Sequence, residues 1–333
     1  MLHRIYTILD FRSKQHHVEV FLTSQSLDIT RPDPLMSPGS IHYPEPLVVL
    51  PLREHQQTWI ILHGRGSNAE KFGPEFLCTP LMGNETLRTI FPNAKFVFPT
   101  ASSRRATIYK RSLIHQWFDN WHLDRPTERE ELQSEGLRDS TQFIHELLRS
   151  EIAIIGAENV VLGGLSQGCA AALVSMLLWQ GEPLAAFFGM CGWLPYRKTM
   201  QEFASSGTQT NGGDDLDGSL FEETASATER SSPIEQAIAF LREEIECPSM
   251  GERFSLRSTP VFLGHGIQDD KVSVTLAREA RDCLVALSIG DGQAPSVILK
   301  EYDGLRHWYS GLMLKDFKEF VLESLNRTES HRW

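Results

Sequence analysis

Residues 159–179 read NVVLGGLSQGCAAALVSMLLW. The run opens on a short apolar segment, Asn159–Leu162, suited to a buried strand. Gln167–Trp179 is alanine-rich and apolar nearly all round, which predicts a helix covered on every side. Between the two stands Gly164-Leu165-Ser166-Gln167-Gly168, the spacing G-x-S-x-G. The pentapeptide alone is weak, because a plain glycine-rich turn has the same composition. The flanks decide it. A sharp strand-to-helix turn leaves no room for large neighbours beside its central residue, so glycine stands at 164 and 168. Such a turn lifts the Ser166 hydroxyl above the sheet and aims it at the helix N-terminus.

Working outward, the same alternation recurs. Thr58–Leu62, Ala94–Phe98, Leu184–Met190, Thr259–Leu263 and Ser296–Tyr302 are short apolar strand candidates. Glu135–Ser150, Ser273–Leu287 and Tyr309–Leu325 carry apolar residues at helical spacing. Strands alternating with helices predict an α/β fold, a mostly parallel central sheet with helices on both faces. With the Ser166 turn, this is the α/β-hydrolase pattern. Residues 1–45 are read as an N-terminal appendage or linker, with a possible strand at Val18–Leu22 and then a Pro/Ser-rich stretch. Residues 46–333 are read as one domain. Within it, residues 203–232 are dominated by Ser, Thr, Gly, Asn, Asp and Glu. Too little apolar surface is available there to offset ordering entropy, so a disordered insertion is expected.

A serine hydroxyl is a poor nucleophile at neutral pH and needs a base within hydrogen-bond reach. In this fold the chain order is Ser, then Asp or Glu, then His. Of the twelve histidines, only His307 and His331 follow the acid candidates. His331 belongs to the tail, whereas His307 falls in a short loop after a predicted strand. Asp269 is the preferred acid, following a predicted strand and the turn His265-Gly266-Ile267-Gln268, with Asp270 as its rival. His63 and His265 each end a strand in His-Gly and are read as turn formers. A developing oxyanion needs donors fixed beforehand. One is expected to be the backbone N–H of Gln167. The other is assigned to Arg65 in the loop His63-Gly64-Arg65-Gly66-Ser67, whose glycines allow close backbone approach.

The formal charge of −11 argues against non-specific binding to nucleic acid. The small basic patch at Arg104, Arg105, Lys110 and Arg111 is read as a solvated loop. Five cysteines at irregular spacing read as buried free thiols in a reducing compartment. No C-x-x-C pair or H-E-x-x-H helix suggests zinc, and neither metal nor organic cofactor is expected. The apolar patch Ile5–Leu9 is too short for a secretory leader, and no apolar run is long enough to cross a bilayer. A cytoplasmic location without a transmembrane anchor is therefore expected, and the sequons at Asn84 and Asn326 read as chance matches.

Six collinear segments together resemble the phospholipase/carboxylesterase family, which includes acyl-protein thioesterases and lysophospholipase-like enzymes. They are LHGRGSN (62–68), WFD (117–119), GGLSQGCAAAL (163–173), GWLP (192–195), HGIQDDKV (265–272) and YDGLRHW (302–308). The resemblance implies cleavage of an acyl thioester or carboxylic ester through an acyl-enzyme on Ser166. The substrate it implies is an S-acylated protein (depalmitoylation) or a lysophospholipid. A small-ester carboxylesterase is the alternative, and a non-catalytic partner-binding protein on the same scaffold is a distant one. The same resemblance puts the acid on Asp269, the base on His307, and the oxyanion donors on Arg65 and Gln167. It implies that Trp117 and Leu165 lie by the substrate pocket and that Asp119 is a structural hydrogen-bonding residue. The chain departs from the family pattern at Arg65, where an apolar residue is usual, at Arg306 and Trp308 beside the base, and at 1–45 and 203–232. A charged Arg65 is expected to favour an anionic or shorter substrate.

Overall fold

The structure, a computed structural model, describes residues 7–8, 41–81, 83–206, 232–248, 258–288 and 297–330 of the 333. The strands are β1 (Thr7–Ile8), β2 (Leu47–Val49), β3 (Gln57–Leu62), β4 (Ala94–Phe98), β5 (Ser103–Ala106), β6 (Ser112–His115), β7 (Val160–Leu165), β8 (Ala186–Met190), β9 (Val261–Gly266) and β10 (Val297–Tyr302). Eight of them form one sheet in the order β1-β2-β4-β3-β7-β8-β9-β10. The β2–β4 pairing is antiparallel and every other pairing in this sheet is parallel, so β1 and β2 run opposite to the remaining six strands. β5 and β6 make a separate antiparallel hairpin. The helices are α1 (Ala69–Cys78), α2 (Leu87–Ile90), α3 (Ser134–Ile155), α4 (Gln167–Leu177), α5 (Arg197–Ser206), α6 (Pro233–Glu244), α7 (Val274–Ser288) and α8 (Gly311–Ser330).

Side chains alternate across a strand, so a strand covered on both faces must be apolar throughout. In β3, Ile60 and Leu62 join Leu137, Ile144, Leu148 and Leu173 of α3 and α4 in one core. Trp59 and Ile61 point the other way, into a second core with Phe72 and Phe76 of α1 and Met313 and Phe317 of α8. Each large side chain buried in this way stabilises the fold by roughly 1.5–3 kcal/mol. α4 runs through the first core with all eleven residues buried, as its all-round apolar sequence predicts.

Several boundaries differ from the sequence reading. β7 continues through Gly163 and Gly164 to Leu165, because β8 and β3 extend the ladder beside it. In the basic segment 104–111, Arg105, Lys110 and Arg111 are exposed as expected, but residues 104–106 pair within β5 of the hairpin and Arg104 is largely buried in an ion pair with Asp139 at 2.6 Å. The polar stretch 203–232 loses both ends: α5 runs to Ser206, and Ser232 caps α6 reciprocally with Glu235. Residues 207–231 and the Val18–Leu22 strand candidate lie outside the described residues. Thr7–Ile8 pairs with Leu47–Val48 as the sheet edge. Tyr43 stacks on Phe143 with ring centroids 4.0 Å apart. Parts of the stretch 1–45 thus belong to the fold.

Candidate active site

The functional side chains gather at the C-terminal ends of adjacent parallel strands, where this topology opens a crevice. Ser166 follows β7 directly and begins α4. Its backbone has φ 56° and ψ −122°, a conformation L-residues rarely adopt. The strain is held by the Ser166 N–H donating to the Met190 carbonyl at 2.7 Å and by tight packing of the flanking glycines. A Cβ on Gly168 would sit 2.4 Å from the His63 carbonyl oxygen, and one on Gly164 would sit 2.5 Å from the Gly168 carbonyl carbon. Glycine is therefore required at both positions, as the elbow spacing predicts.

Asp269 follows β9 and His307 follows β10. His307 Nε2 lies 2.9 Å from Ser166 Oγ, and His307 Nδ1 lies 2.7 Å from Asp269 Oδ2. Asp269 Oδ1 accepts the backbone N–H groups of Lys271 and Val272, each at 2.9 Å. Burial works to raise the Asp269 carboxyl, but hydrogen bonds from His265, His307 and Val272 outweigh it and hold the group below the usual carboxylate range. Asp270, the rival acid, points elsewhere: it is 44% exposed and pairs with Arg306 at 2.7 Å.

The loop His63–Ser67 passes beside Ser166, since a Cβ on Gly64 would lie 3.5 Å from Ser166 Cβ. Its register is fixed by Gly66 N–H donating to the His115 carbonyl at 2.8 Å and by a Ser67-to-Gly64 turn bond. The Arg65 guanidinium donates to Asn120 Oδ1 at 3.1 Å and to the Tyr109 hydroxyl at 3.3 Å. Among the described residues, the backbone N–H groups of Arg65 and Gln167 carry no hydrogen bond.

Trp117 and Leu165 are buried beside the site, 0% and 2% exposed, where Ser166 itself is 4% exposed. The Trp117 indole donates to the His63 carbonyl at 2.8 Å, and its backbone N–H donates to Gln167 Oε1 at 3.0 Å. The Gln167 amide also donates to the Phe118 carbonyl at 2.7 Å and Asn120 Oδ1 at 2.9 Å. One brace thus ties the Arg65 loop to the Ser166 helix. The sequence showed Gln167 as a backbone donor; its side-chain role has no motif of its own. His265 was likewise read as a turn former, yet its Nε2 lies 3.1 Å from Asp269 Oδ2. Asp119 accepts from the Thr107 backbone N–H at 3.0 Å and from its hydroxyl, the structural part the resemblance implied. The five cysteines are unbonded, with Cys169, Cys191 and Cys283 buried as expected and Cys78 exposed.

His63 Nδ1–H donates to the Gly64 carbonyl at 2.7 Å, and its Nε2 accepts from the Ala101 N–H at 3.0 Å. Both ring nitrogens are committed to the neutral form, and a second proton would set two donors against each other. Burial pushes His63 down to about 4, and it does the same to His145 in α3. The unfolded chain takes up these protons near the ordinary value of about 6.5, so stability is full above that pH. It drains as pH falls toward 4, on the order of 3 kcal/mol per histidine. The urea midpoint should drop over this interval, with a shallower drop in His145→Gln. A midpoint flat across the window contradicts this account.

A mostly parallel sheet between helices, with a strained serine turn facing His307 and Asp269, defines an α/β-hydrolase of the serine esterase and thioesterase class. The sequence model of the phospholipase/carboxylesterase family matches residues 44–215. The chain belongs to that family. It is 24% identical over 287 residues to acyl-protein thioesterase 1 of Cryptococcus neoformans, covering 84% of this chain and 97% of that one. It is 31% identical over 147 residues to acyl-protein thioesterase 1 of Saccharomyces cerevisiae, covering 43% of this chain and 62% of that one. The crystal structure of Zea mays acyl-protein thioesterase 2 superposes with a TM-score of 0.57 at 23% identity, over 85% of this chain and all of that one. This last likeness shows the shared fold.

Proposed function

We propose that the protein hydrolyses acyl thioesters or esters through an acyl-enzyme on Ser166, with S-acylated proteins as the leading substrate class and lysophospholipids next. The observation that carries this reading is the unbroken hydrogen-bond chain Ser166 Oγ, His307 Nε2, His307 Nδ1, Asp269 Oδ2. In the acylation step His307 takes the hydroxyl proton as Oγ attacks the acyl carbonyl. Asp269 holds the imidazole in the tautomer that leaves Nε2 free to accept, and stabilises the imidazolium. The backbone N–H groups of Arg65 and Gln167 receive the oxyanion. His307 then returns the proton to the departing thiol or alcohol. Water repeats the sequence and releases the acid.

A thiol leaving group suits the proposal, because the similar Cryptococcus protein is an acyl-protein thioesterase. We also propose a cytoplasmic site of action. No helix among the described residues is long and apolar enough to cross a membrane. A second reading, a carboxylesterase for short or anionic esters, draws on the Arg65 guanidinium held by Asn120 and Tyr109. A chain-length series of p-nitrophenyl esters, set against a palmitoylated peptide, separates the two. Preference for the peptide supports the first reading. Turnover confined to short esters, with longer chains recovered by Arg65→Leu, replaces it with the second.

A further inference from the structure

Cys191 has no part in the hydrolytic chemistry, yet it stands against the acid–base pair. It follows β8 in a left-handed conformation with φ 50°, and its buried thiol donates to the Trp308 carbonyl at 3.3 Å. The Cys191 sulfur, a carboxylate oxygen of Asp269 and a ring nitrogen of His307 all lie within 4.8 Å of one another. Among the described residues no other cluster brings three such groups together.

We propose that Cys191, Asp269 and His307 form an inhibitory site for a divalent transition ion, zinc foremost, that captures the acid–base pair. The inhibition rests on the hydrolytic reading given above; the ion site itself rests on geometry. A sulfur, a nitrogen and an oxygen make a donor set that zinc accepts readily and that magnesium and calcium do not. Zinc bonds of roughly 2.0–2.3 Å place tetrahedral ligands about 3.5 Å apart. The sulfur, at most 4.8 Å from the other two atoms, therefore needs to draw in by about an ångström at most, while the Asp269–His307 pair parts by slightly less than that. The fourth position stays open to water or a solute anion.

The same arithmetic makes metal binding and catalysis exclusive. The Asp269–His307 contact is 2.7 Å, too short to admit an ion between its two atoms. Binding breaks that hydrogen bond. As the ion enters, the Cys191 thiol proton leaves to solvent, and the Nδ1 proton of His307 is exchanged for one on Nε2, so the imidazole binds the metal in its neutral form. His307 then holds the metal and no longer has the orientation that accepts the Ser166 proton. The His307 side chain is 18% exposed and offers the entry route, while Cys191 and Asp269 wait behind it.

The test titrates zinc into the full-length enzyme in a chelator-buffered assay on a short p-nitrophenyl ester. Each variant is scored against its own uninhibited rate. Wild type should be inhibited at micromolar zinc and recover fully with EDTA. Losing even an outer partner of a zinc ligand costs about 10–100-fold in affinity, so Cys191→Ser should raise the midpoint by about tenfold or more. Cys78→Ser, which removes the exposed thiol, should leave it unchanged. Cobalt supplies a readout independent of turnover. One equivalent should give a thiolate-to-cobalt absorption band in wild type and Cys78→Ser, absent in Cys191→Ser and Cys191→Ala. An active wild-type enzyme with neither inhibition nor band overturns the proposal, as does inhibition that disappears with Cys78 and persists without Cys191. The band in a protein without esterase activity upholds the site and counts against the hydrolytic reading instead.

Discussion

Ser166→Ala should fold normally and turn over acyl esters roughly 10⁴–10⁶-fold more slowly than wild type, the loss seen when a triad nucleophile is removed. The substitution deletes one oxygen. It keeps the Cβ and leaves the Ser166-to-Met190 backbone bond and both flanking glycines untouched. His307 would lose the hydroxyl 2.9 Å away and have only water to activate. Residual activity would come from the Arg65 and Gln167 donors, which still bind the oxyanion. The measurement is kcat on a p-nitrophenyl ester, with circular dichroism to check folding and a fluorophosphonate probe to report the nucleophile. Wild type should be labelled and the variant not. A folded variant retaining more than a tenth of wild-type turnover removes Ser166 from the chemistry.

Asp269→Asn should lower kcat by about 10⁴-fold, as in serine hydrolases whose acid is made neutral. Asp269 Oδ2 faces two histidine nitrogens, His307 Nδ1 at 2.7 Å and His265 Nε2 at 3.1 Å. Oδ1 faces two backbone N–H donors. An asparagine NH₂ has no acceptor to meet on the Oδ1 side, so it must turn toward His307. There it donates where the carboxylate accepted. The imidazole would then carry its proton on Nε2 and could not take one from Ser166. Loss of the charge also removes the partner of the imidazolium. Asp270→Asn is the matched control, since its carboxylate serves an exposed pair with Arg306 worth little. Equal losses from the two variants would mean that the sequence order had selected the wrong acid.

The sequence carried the chemistry further than the packing. Ser166, Asp269 and His307 were legible because each needs a particular functional group at a strand end, and the chain order Ser–Asp–His leaves few candidates. β3, β4, β8 and β9 were legible because strands covered on both faces are apolar nearly throughout, while β10, an edge strand that ends in Lys300-Glu301-Tyr302, was legible from its run Val297–Leu299. α1 was not, since Pro74 and charged residues interrupt its pattern; its start is written only in the Asn68 cap on the Lys71 N–H. The β5–β6 hairpin was hidden because Arg104 looks solvated until Asp139 is found 35 residues away. The same limit applies to Trp117: the resemblance placed it close to the substrate pocket, but its indole bond to the His63 carbonyl is a long-range contact that no local pattern records.

The Gln167–Trp117 brace bears on how this enzyme would respond to evolution. The two donors proposed for the oxyanion come from segments about a hundred residues apart, and a shared set of buried bonds ties those segments together. Substitutions in the WFD segment would therefore alter the spacing of a site they never touch. That makes the segment a poor place to vary substrate choice. The Arg65 side chain shares the brace, because its guanidinium donates to the same Asn120 Oδ1 that accepts from Gln167, and it reaches the surface only at Tyr109. Selectivity can drift on the surface around Tyr109, beyond the Asn120 contact, while the spacing of the site is conserved from within.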